Sequence, residues 1–182
     1  MRWLARFIYF KLWGWKIVGN TNWSKDTVKK AVIIAFPHTS WQDFFVGLFL
    51  RKITNIKTNF VGKKELFVWP LSLYFKAIGG KSLDRTPGQN KVEAIAQLFE
   101  QEEEFRLTLA PEGTRKKAEQ WKTGFYYIAK AANVPIIMFT LDFENKQNKI
   151  SEPFYPTDDV EADFAFMKDY FKGVKGKVPE YS

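Results

Sequence analysis

Short, unbroken apolar runs alternate along this chain with stretches whose apolar positions recur every three or four residues. Ala31–Phe36 (AVIIAF), Thr58–Val61, Arg106–Ala110 (RLTLA) and Pro135–Leu141 (PIIMFTL) predict strands, several of them without polar interruption, as in a sheet covered on both faces. Trp41–Arg51, Lys64–Ala77, Lys91–Glu104, Trp121–Asn133 and Ala162–Lys172 predict helices. The alternation predicts an α/β sheet. No repeat, low-complexity tract or Gly/Ser linker divides the chain, so residues 1–182 are expected to form one domain.

The first eighteen residues, MRWLARFIYFKLWGWKIV, follow a different pattern. Arg2, Arg6, Lys11 and Lys16 recur so often that no uncharged stretch between Arg2 and Lys16 exceeds four residues. A membrane-spanning helix needs about 20 predominantly apolar residues, so this segment is not expected to cross a bilayer. It also lacks the apolar core and small-residue cleavage site of a secretory signal. At about 100° per residue Arg2, Arg6 and Lys16 fall on one side, while Trp3, Leu4, Phe7, Ile8, Phe10, Trp15 and Val18 cover much of the rest. That is the pattern of an amphipathic helix lying in a membrane interface, basic groups toward anionic headgroups. A first helix docked on the domain's own core is the alternative arrangement, and Lys11 suits neither.

The chain carries 28 Lys and Arg against 20 Asp and Glu, a formal net charge of +8. Such an excess favours a polyanionic partner: nucleic acid, an anionic membrane surface or a phosphorylated substrate. The absence of cysteine removes disulfides, thiolate metal sites and thiol nucleophiles, and fits a reducing compartment. With one histidine in the chain, proton transfer near neutral pH falls most naturally to His38.

His38 lies in Pro37–Asp43 (PHTSWQD), at the end of an apolar run. Residues five apart on a regular helix are separated by about 140° around its axis. His38 and Asp43 therefore meet only if His38 precedes the helix and Asp43 sits in its first turn. Pro37 disfavours helix at Phe36, and Ser40-Trp41-Gln42-Asp43 fits a capping box with Ser40 as N-cap. The string reads either as a base oriented by a carboxylate or as a helix start beside an ordinary histidine.

A second feature follows directly on Arg106–Ala110, at the end of a buried strand, where ligands dock in α/β sheets. Pro111-Glu112-Gly113-Thr114-Arg115 offers close backbone approach, a hydroxyl and a guanidinium fork, donors suited to a phosphate; a plain polar turn is the simpler reading. Gly79–Arg85 (GGKSLDR) again joins glycines to basic side chains. It is no P-loop, because that motif needs glycine where Phe75 stands. Neither a Gly-x-Ser-x-Gly elbow nor a His-Glu-x-x-His pair occurs, so serine-hydrolase and metalloprotease readings have no support.

Taken in order, these motifs resemble the four blocks of the lysophospholipid acyltransferase family, across roughly residues 31–140. His38 and Asp43 match its HxxxxD block, and Gly79–Arg85 the block ending in Asp-Arg. Pro111–Arg115 match the Pro-Glu-Gly-Thr-Arg block and Val134-Pro135-Ile136 the Val-Pro-Ile block, with Lys64-Glu65-Leu66 where the family often has a similar tripeptide. The chain departs from the family at Pro37, commonly asparagine, at Lys81 and Ser82, commonly aliphatic or aromatic, and in lacking a second proline in the fourth block.

The resemblance implies a glycerolipid acyltransferase-like fold: a mixed, largely parallel sheet flanked by helices, with residues 1–18 as an interfacial amphipathic helix. It implies transfer of a fatty acyl group from an acyl thioester to a hydroxyl of a lysophospholipid, foremost lysophosphatidic acid to phosphatidic acid. His38 would be the base and Asp43 its orienting carboxylate. Arg85 and Arg115 would hold the acceptor phosphate, with Gly113 and Thr114 as further donors and Lys64 as an additional cation. Glu112, itself anionic, would orient Arg115 or a glycerol hydroxyl. Leu66–Leu71 would line the acyl groove or else pack in the core. The implied co-substrate is acyl-CoA or acyl-carrier protein, with no metal or other cofactor. The implied partners are the two substrates and an anionic membrane surface rather than nucleic acid. The implied location is the cytoplasmic face of a membrane, peripheral or monotopic. Two alternatives stand beside this reading: another lysolipid acceptor, and a non-catalytic module for an anionic membrane or nucleic acid. The latter accounts for the charge and the N-terminal segment, but not for the spacing of His38 and Asp43.

Overall fold

The strand Lys30–Phe36 (β2) lies inside the sheet because its run KAVIIAF can bury both faces. Side chains alternate across a strand, and here Val32 and Ile34 enter one core layer while Ala31 and Ile33 enter the other. The structure, a computed structural model, describes residues 2–20, 27–83 and 90–182. Around β2 stand β1 (Lys16–Gly19), β5 (Phe105–Leu109), β6 (Ile136–Thr140) and β7 (Gln147–Ile150), in the order β1-β7-β6-β2-β5. Within this sheet β6 and β7 run antiparallel and the remaining pairs run parallel, the mixed and largely parallel sheet expected. A parallel pair, β3 (Phe60–Lys63) and β4 (Gly80–Leu83), joins the edge of β5 through a bridge between Asn59 and Leu107.

Helices cover both faces. On one side α4 (Lys91–Gln101), α5 (Gly124–Ala131) and α6 (Val160–Tyr170) bring Phe99, Tyr126 and Met167 against Val32, Leu107 and Ile136. On the other, α1 (Arg2–Phe7), its π-helical continuation Ile8–Leu12 and α2 (Gln42–Thr54) bury Ala5, Tyr9, Val46, Leu50 and Ile53 together with Trp15 and Leu141. The Arg2 Nε–H caps this packing by donating to the Ile53 carbonyl at 2.9 Å.

The structure differs from expectation in three places. The helix expected over residues 1–18 stops at Leu12; Gly14 turns the chain with a left-handed φ of 70°, and Lys16–Gly19 leave as an edge strand. The helix expected over Lys64–Ala77 is a 3₁₀ turn (Lys64–Phe67) and a separate α3 (Leu71–Ala77), because Pro70 lacks an N–H and its ring collides with the preceding turn. Strands β1, β4 and β7 were unexpected: each is four residues long, and β7, reading Gln-Asn-Lys-Ile, buries only Asn148 and Ile150. Of the two arrangements weighed for the N-terminal segment, docking on the domain's own core is seen in part. Ala5 and Tyr9 are core, while Trp3, Leu4, Phe7 and Leu12 stand exposed, Trp3 to 74%. Among the described residues no helix is long and apolar enough to cross a membrane.

Candidate active site

β2 and β5 are parallel neighbours with Ile34 opposite Leu109, so their C-terminal ends deliver Pro37–Asp43 and Pro111–Arg115 to the same edge of the sheet. The box anticipated from Ser40 and Asp43 closes the start of α2. The Gln42 N–H donates to Ser40 Oγ at 3.2 Å, and the Ser40 N–H donates to Asp43 Oδ2 at 2.9 Å. The same Oδ2 lies 2.8 Å from His38 Nδ1. His38 thus precedes the helix while Asp43 occupies its first turn, as their spacing requires. The Asp43 side chain is 2% exposed and that of His38 25%, so the carboxylate is withheld from water while the imidazole reaches it. Asp43 Oδ1 is buried with no hydrogen-bond partner among the described residues. With Nδ1–H donating to Asp43, the network assigns the lone pair to Nε2. Arg115 Nε–H donates to that nitrogen at 3.4 Å.

Glu112 corrects an expectation. Its carboxylate faces the backbone of His38, whose N–H donates to Oε1 and Oε2 at 3.1 Å each, rather than Arg115 or the open site. Burial pushes this carboxyl up to about 7, against the lowering influence of the His38 amide and ring. Glu112 is therefore a strut under the His38 backbone, its carboxyl raised by burial. Gly113 takes a left-handed φ of 66°, and the aliphatic stem of Lys122 fills the place of any Cβ there. Thr114 and Arg115 are exposed beside it, Thr114 Oγ1 accepting from the Lys116 N–H at 3.3 Å.

The other predicted positions divide. Asp84 and Arg85 lie outside the described residues. Lys81 pairs with Glu102, so this departure from the family pattern serves an ion pair between β4 and the end of α4. Lys64 opens the 3₁₀ turn and is not among the described residues lining the site cavity. Val134-Pro135-Ile136 is structural: the Pro135 carbonyl accepts from the Val32 N–H at 2.9 Å and sets β6 against β2.

A cavity of about 380 Å³ opens at His38, Asp43 and Arg115 and runs beneath α2. Phe44, Leu48 and Leu50 wall it on one side; Ile33, Phe139 and Leu141 form its floor on the sheet; Phe75 and Ile78 close it from α3. Gly47 lines it as well, with nothing within 4 Å of where its Cβ would stand. Of the stretch Leu66–Leu71, expected to line an acyl groove or pack in the core, Val68, Trp69 and Leu71 are exposed, Trp69 to 82%, and Phe67 packs against Phe75. The lining of the cavity at His38 is scattered over several segments, each of which reads in the sequence as ordinary core. An imidazole held by a carboxylate, with a neighbouring cation and an adjoining apolar cavity, is an arrangement that can take a proton from a polar acceptor beside a hydrocarbon chain.

The sequence matches the family described as Acyltransferase over residues 16–141, more than half of the chain. No curated relative matches it by sequence. Among solved structures the fold is similar to the crystal structure of the 1-acyl-sn-glycerophosphate (LPA) acyltransferase, PlsC, from Thermotoga maritima, with a TM-score of 0.57 and 18% identity. That match covers 88% of this chain and 71% of the other. Fold, motif order and family match agree, and the chain belongs to the acyltransferase family.

Proposed function

We propose that this protein transfers a fatty acyl group from an acyl thioester to a hydroxyl of a lysophospholipid, foremost lysophosphatidic acid, giving phosphatidic acid. The observation that carries the reading is His38, held at Nδ1 by Asp43 and facing Arg115 at Nε2, at the mouth of an apolar cavity. His38 Nε2 takes the proton of the acceptor hydroxyl as the oxygen bonds to the thioester carbonyl carbon. The carbon–sulfur bond of the tetrahedral intermediate then breaks, and the imidazolium returns the proton to the leaving sulfur. The products are an ester and a free thiol, with no acyl-enzyme between them. A base in this role contributes roughly 10² to 10⁴ in rate, and alignment of hydroxyl with thioester adds to it.

Arg115 links acceptor binding to this chemistry. Its guanidinium stands 3.4 Å from Nε2, so an acceptor phosphate held there brings the acceptor hydroxyl beside the base. Gly113, Thr114 and Arg85 belong to the same phosphate site in this reading, and the cavity under α2 takes the acyl chain. Acyl-CoA or acyl-carrier protein is the co-substrate, and residues 1–182 act as one domain. The exposed Trp3, Leu4, Phe7 and Leu12, with Val68, Trp69 and Leu73 around α3, support peripheral seating on a membrane; the net charge of +8 suits an anionic one, and in this reading the face is the cytoplasmic one.

A panel of acceptors and donors tests the proposal. Lysophosphatidic acid should be acylated far better than monoacylglycerol, which lacks the phosphate. Arg115→Ala should lower kcat/KM for lysophosphatidic acid by roughly 10- to 100-fold, the loss of a charge-assisted contact, and leave monoacylglycerol turnover nearly unchanged. Equal use of both acceptors, with the substitution harming both alike, would make Arg115 a structural clamp and remove the phosphate assignment.

A further inference from the structure

α2 separates two cavities. Asp43, Phe44, Gly47 and Leu48 face the catalytic one, whereas Trp41, Gln42, Phe45, Val46 and Phe49 face a larger groove of about 870 Å³ on the opposite side. Its floor is aromatic. Trp13 meets Phe49 at 4.7 Å between ring centroids, Trp15 meets Phe143 at 4.9 Å, and Trp41 meets Phe45 at 5.5 Å. The mouth is apolar too, Leu12 and Trp41 being 66% and 61% exposed.

One rim is basic. Lys146 projects from the turn between β6 and β7, and Lys175 and Lys177 from the segment after α6, tied to that turn by the Phe143 N–H donating to the Lys175 carbonyl at 2.9 Å. Lys177 Nζ stands 5.9 Å from the Phe143 ring centroid, and Lys175 Nζ reaches Glu144 at 2.7 Å. Among the lining residues three ammonium groups stand against one carboxylate and leave the rim positive, beside an apolar trough whose volume admits a hydrocarbon chain. The groove adjoins the N-terminal helical segment, whose exposed Leu12 stands at its mouth.

We propose that this groove binds one anionic phospholipid of the membrane surface, an acyl chain lying along Trp13, Trp41, Phe45 and Phe49 and the phosphate against Lys146, Lys175 and Lys177. The proposal rests on the membrane-surface reading given above and not on the acyl-transfer chemistry. A lipid so held fixes the outer face of α2 to the bilayer while the inner face of the same helix carries Asp43. The catalytic mouth is thereby kept at the surface from which lipid substrates arrive.

The test uses the full chain with vesicles of phosphatidylcholine, alone or mixed with phosphatidylglycerol, the acyl chains brominated on one lipid at a time. Vesicle binding and quenching of tryptophan emission are read together. Lys146→Glu/Lys175→Glu/Lys177→Glu is compared with Lys57→Glu/Lys91→Glu/Lys168→Glu, an equal charge change at exposed lysines away from the groove. The groove variant should bind phosphatidylglycerol vesicles about a hundredfold more weakly, and the control less than about threefold. In the wild type, brominated phosphatidylglycerol should quench more than brominated phosphatidylcholine in the same mixture, and the groove variant should lose that preference. Turnover of a water-soluble acyl donor should be unchanged in both variants, confirming their folds. Equal losses in the two variants, or equal quenching by the two brominated lipids, would leave the membrane reading standing and overturn the groove. A wild type that binds neither vesicle would overturn both.

Discussion

Asp43 Oδ2 closes the first turn of α2 through the Ser40 N–H and holds His38 Nδ1 at the same time. One oxygen thus serves the cap and, in the proposed mechanism, the imidazole, and Asp43→Asn should show both losses in one sample. Weakening the cap by about 1 kcal/mol lowers Tm by about 2–4 °C in a chain of this size, and misorienting the imidazole lowers kcat by roughly two orders of magnitude. Thermal melts and turnover on the same preparation check this; a lower Tm with full turnover would leave only the cap. Glu112 supplies a pH signature. Its carboxyl moves from 4.5 to about 7 on folding. The native protein thus binds more protons than the unfolded chain between those values, and the Glu112 contribution, complete below pH 4.5, is lost as pH rises through about 7. Glu112→Gln keeps an acceptor for the His38 amide and does not titrate. Its Tm should gain on that of the wild type as pH rises through this window, and a constant difference would mean that the native carboxyl is ionised throughout. At this scale the sequence told most about His38 and Asp43, because a five-residue spacing across a strand–helix junction is a geometric constraint. It misjudged Glu112, because no spacing rule says which way a turn residue faces.

The helix α2 carries the site on its inner face and ends at Asn55 in the left-handed region with φ 60°. Gly47, in its interior, is the place where the cavity and the helix make opposite demands. Gly47→Ala should stabilise the helix by up to about 1 kcal/mol, seen as a rise in Tm, since its Cβ enters open space. Gly47→Leu should extend into the cavity and depress kcat/KM for long acyl donors more than for short ones. Equal depression across chain lengths would show that the acyl chain runs elsewhere. The long apolar strands β2, β5 and β6 were legible because a run buried on both faces has no amphipathic competitor. Four-residue strands such as β4 and β7 were not, since they take their structure from neighbours rather than from their own pattern.

Across the whole molecule, the N-terminal segment belongs to the core and to the surface together. Tyr9 is fully buried with its hydroxyl donating to Asn148, and burial pushes that hydroxyl's pKa upward; Trp15 is buried as well. Deleting residues 1–18 would therefore remove core and strand β1 along with any membrane contact. Trp3→Ser/Leu4→Ser/Phe7→Ser changes only exposed side chains. It should weaken co-sedimentation with anionic vesicles while leaving Tm within about a degree or two. Unchanged vesicle binding would move the membrane contact to another face. The central claim is that His38 is the base of an acyl transfer, and the most direct measurement is release of free thiol from acyl-CoA or acyl-carrier protein in the presence of lysophosphatidic acid. The wild type should release thiol in step with phosphatidic acid formation, and His38→Ala, folded to the same Tm, should release it at least about 10²-fold more slowly. A His38→Ala protein that releases thiol and forms phosphatidic acid at the wild-type rate at neutral pH would contradict the account.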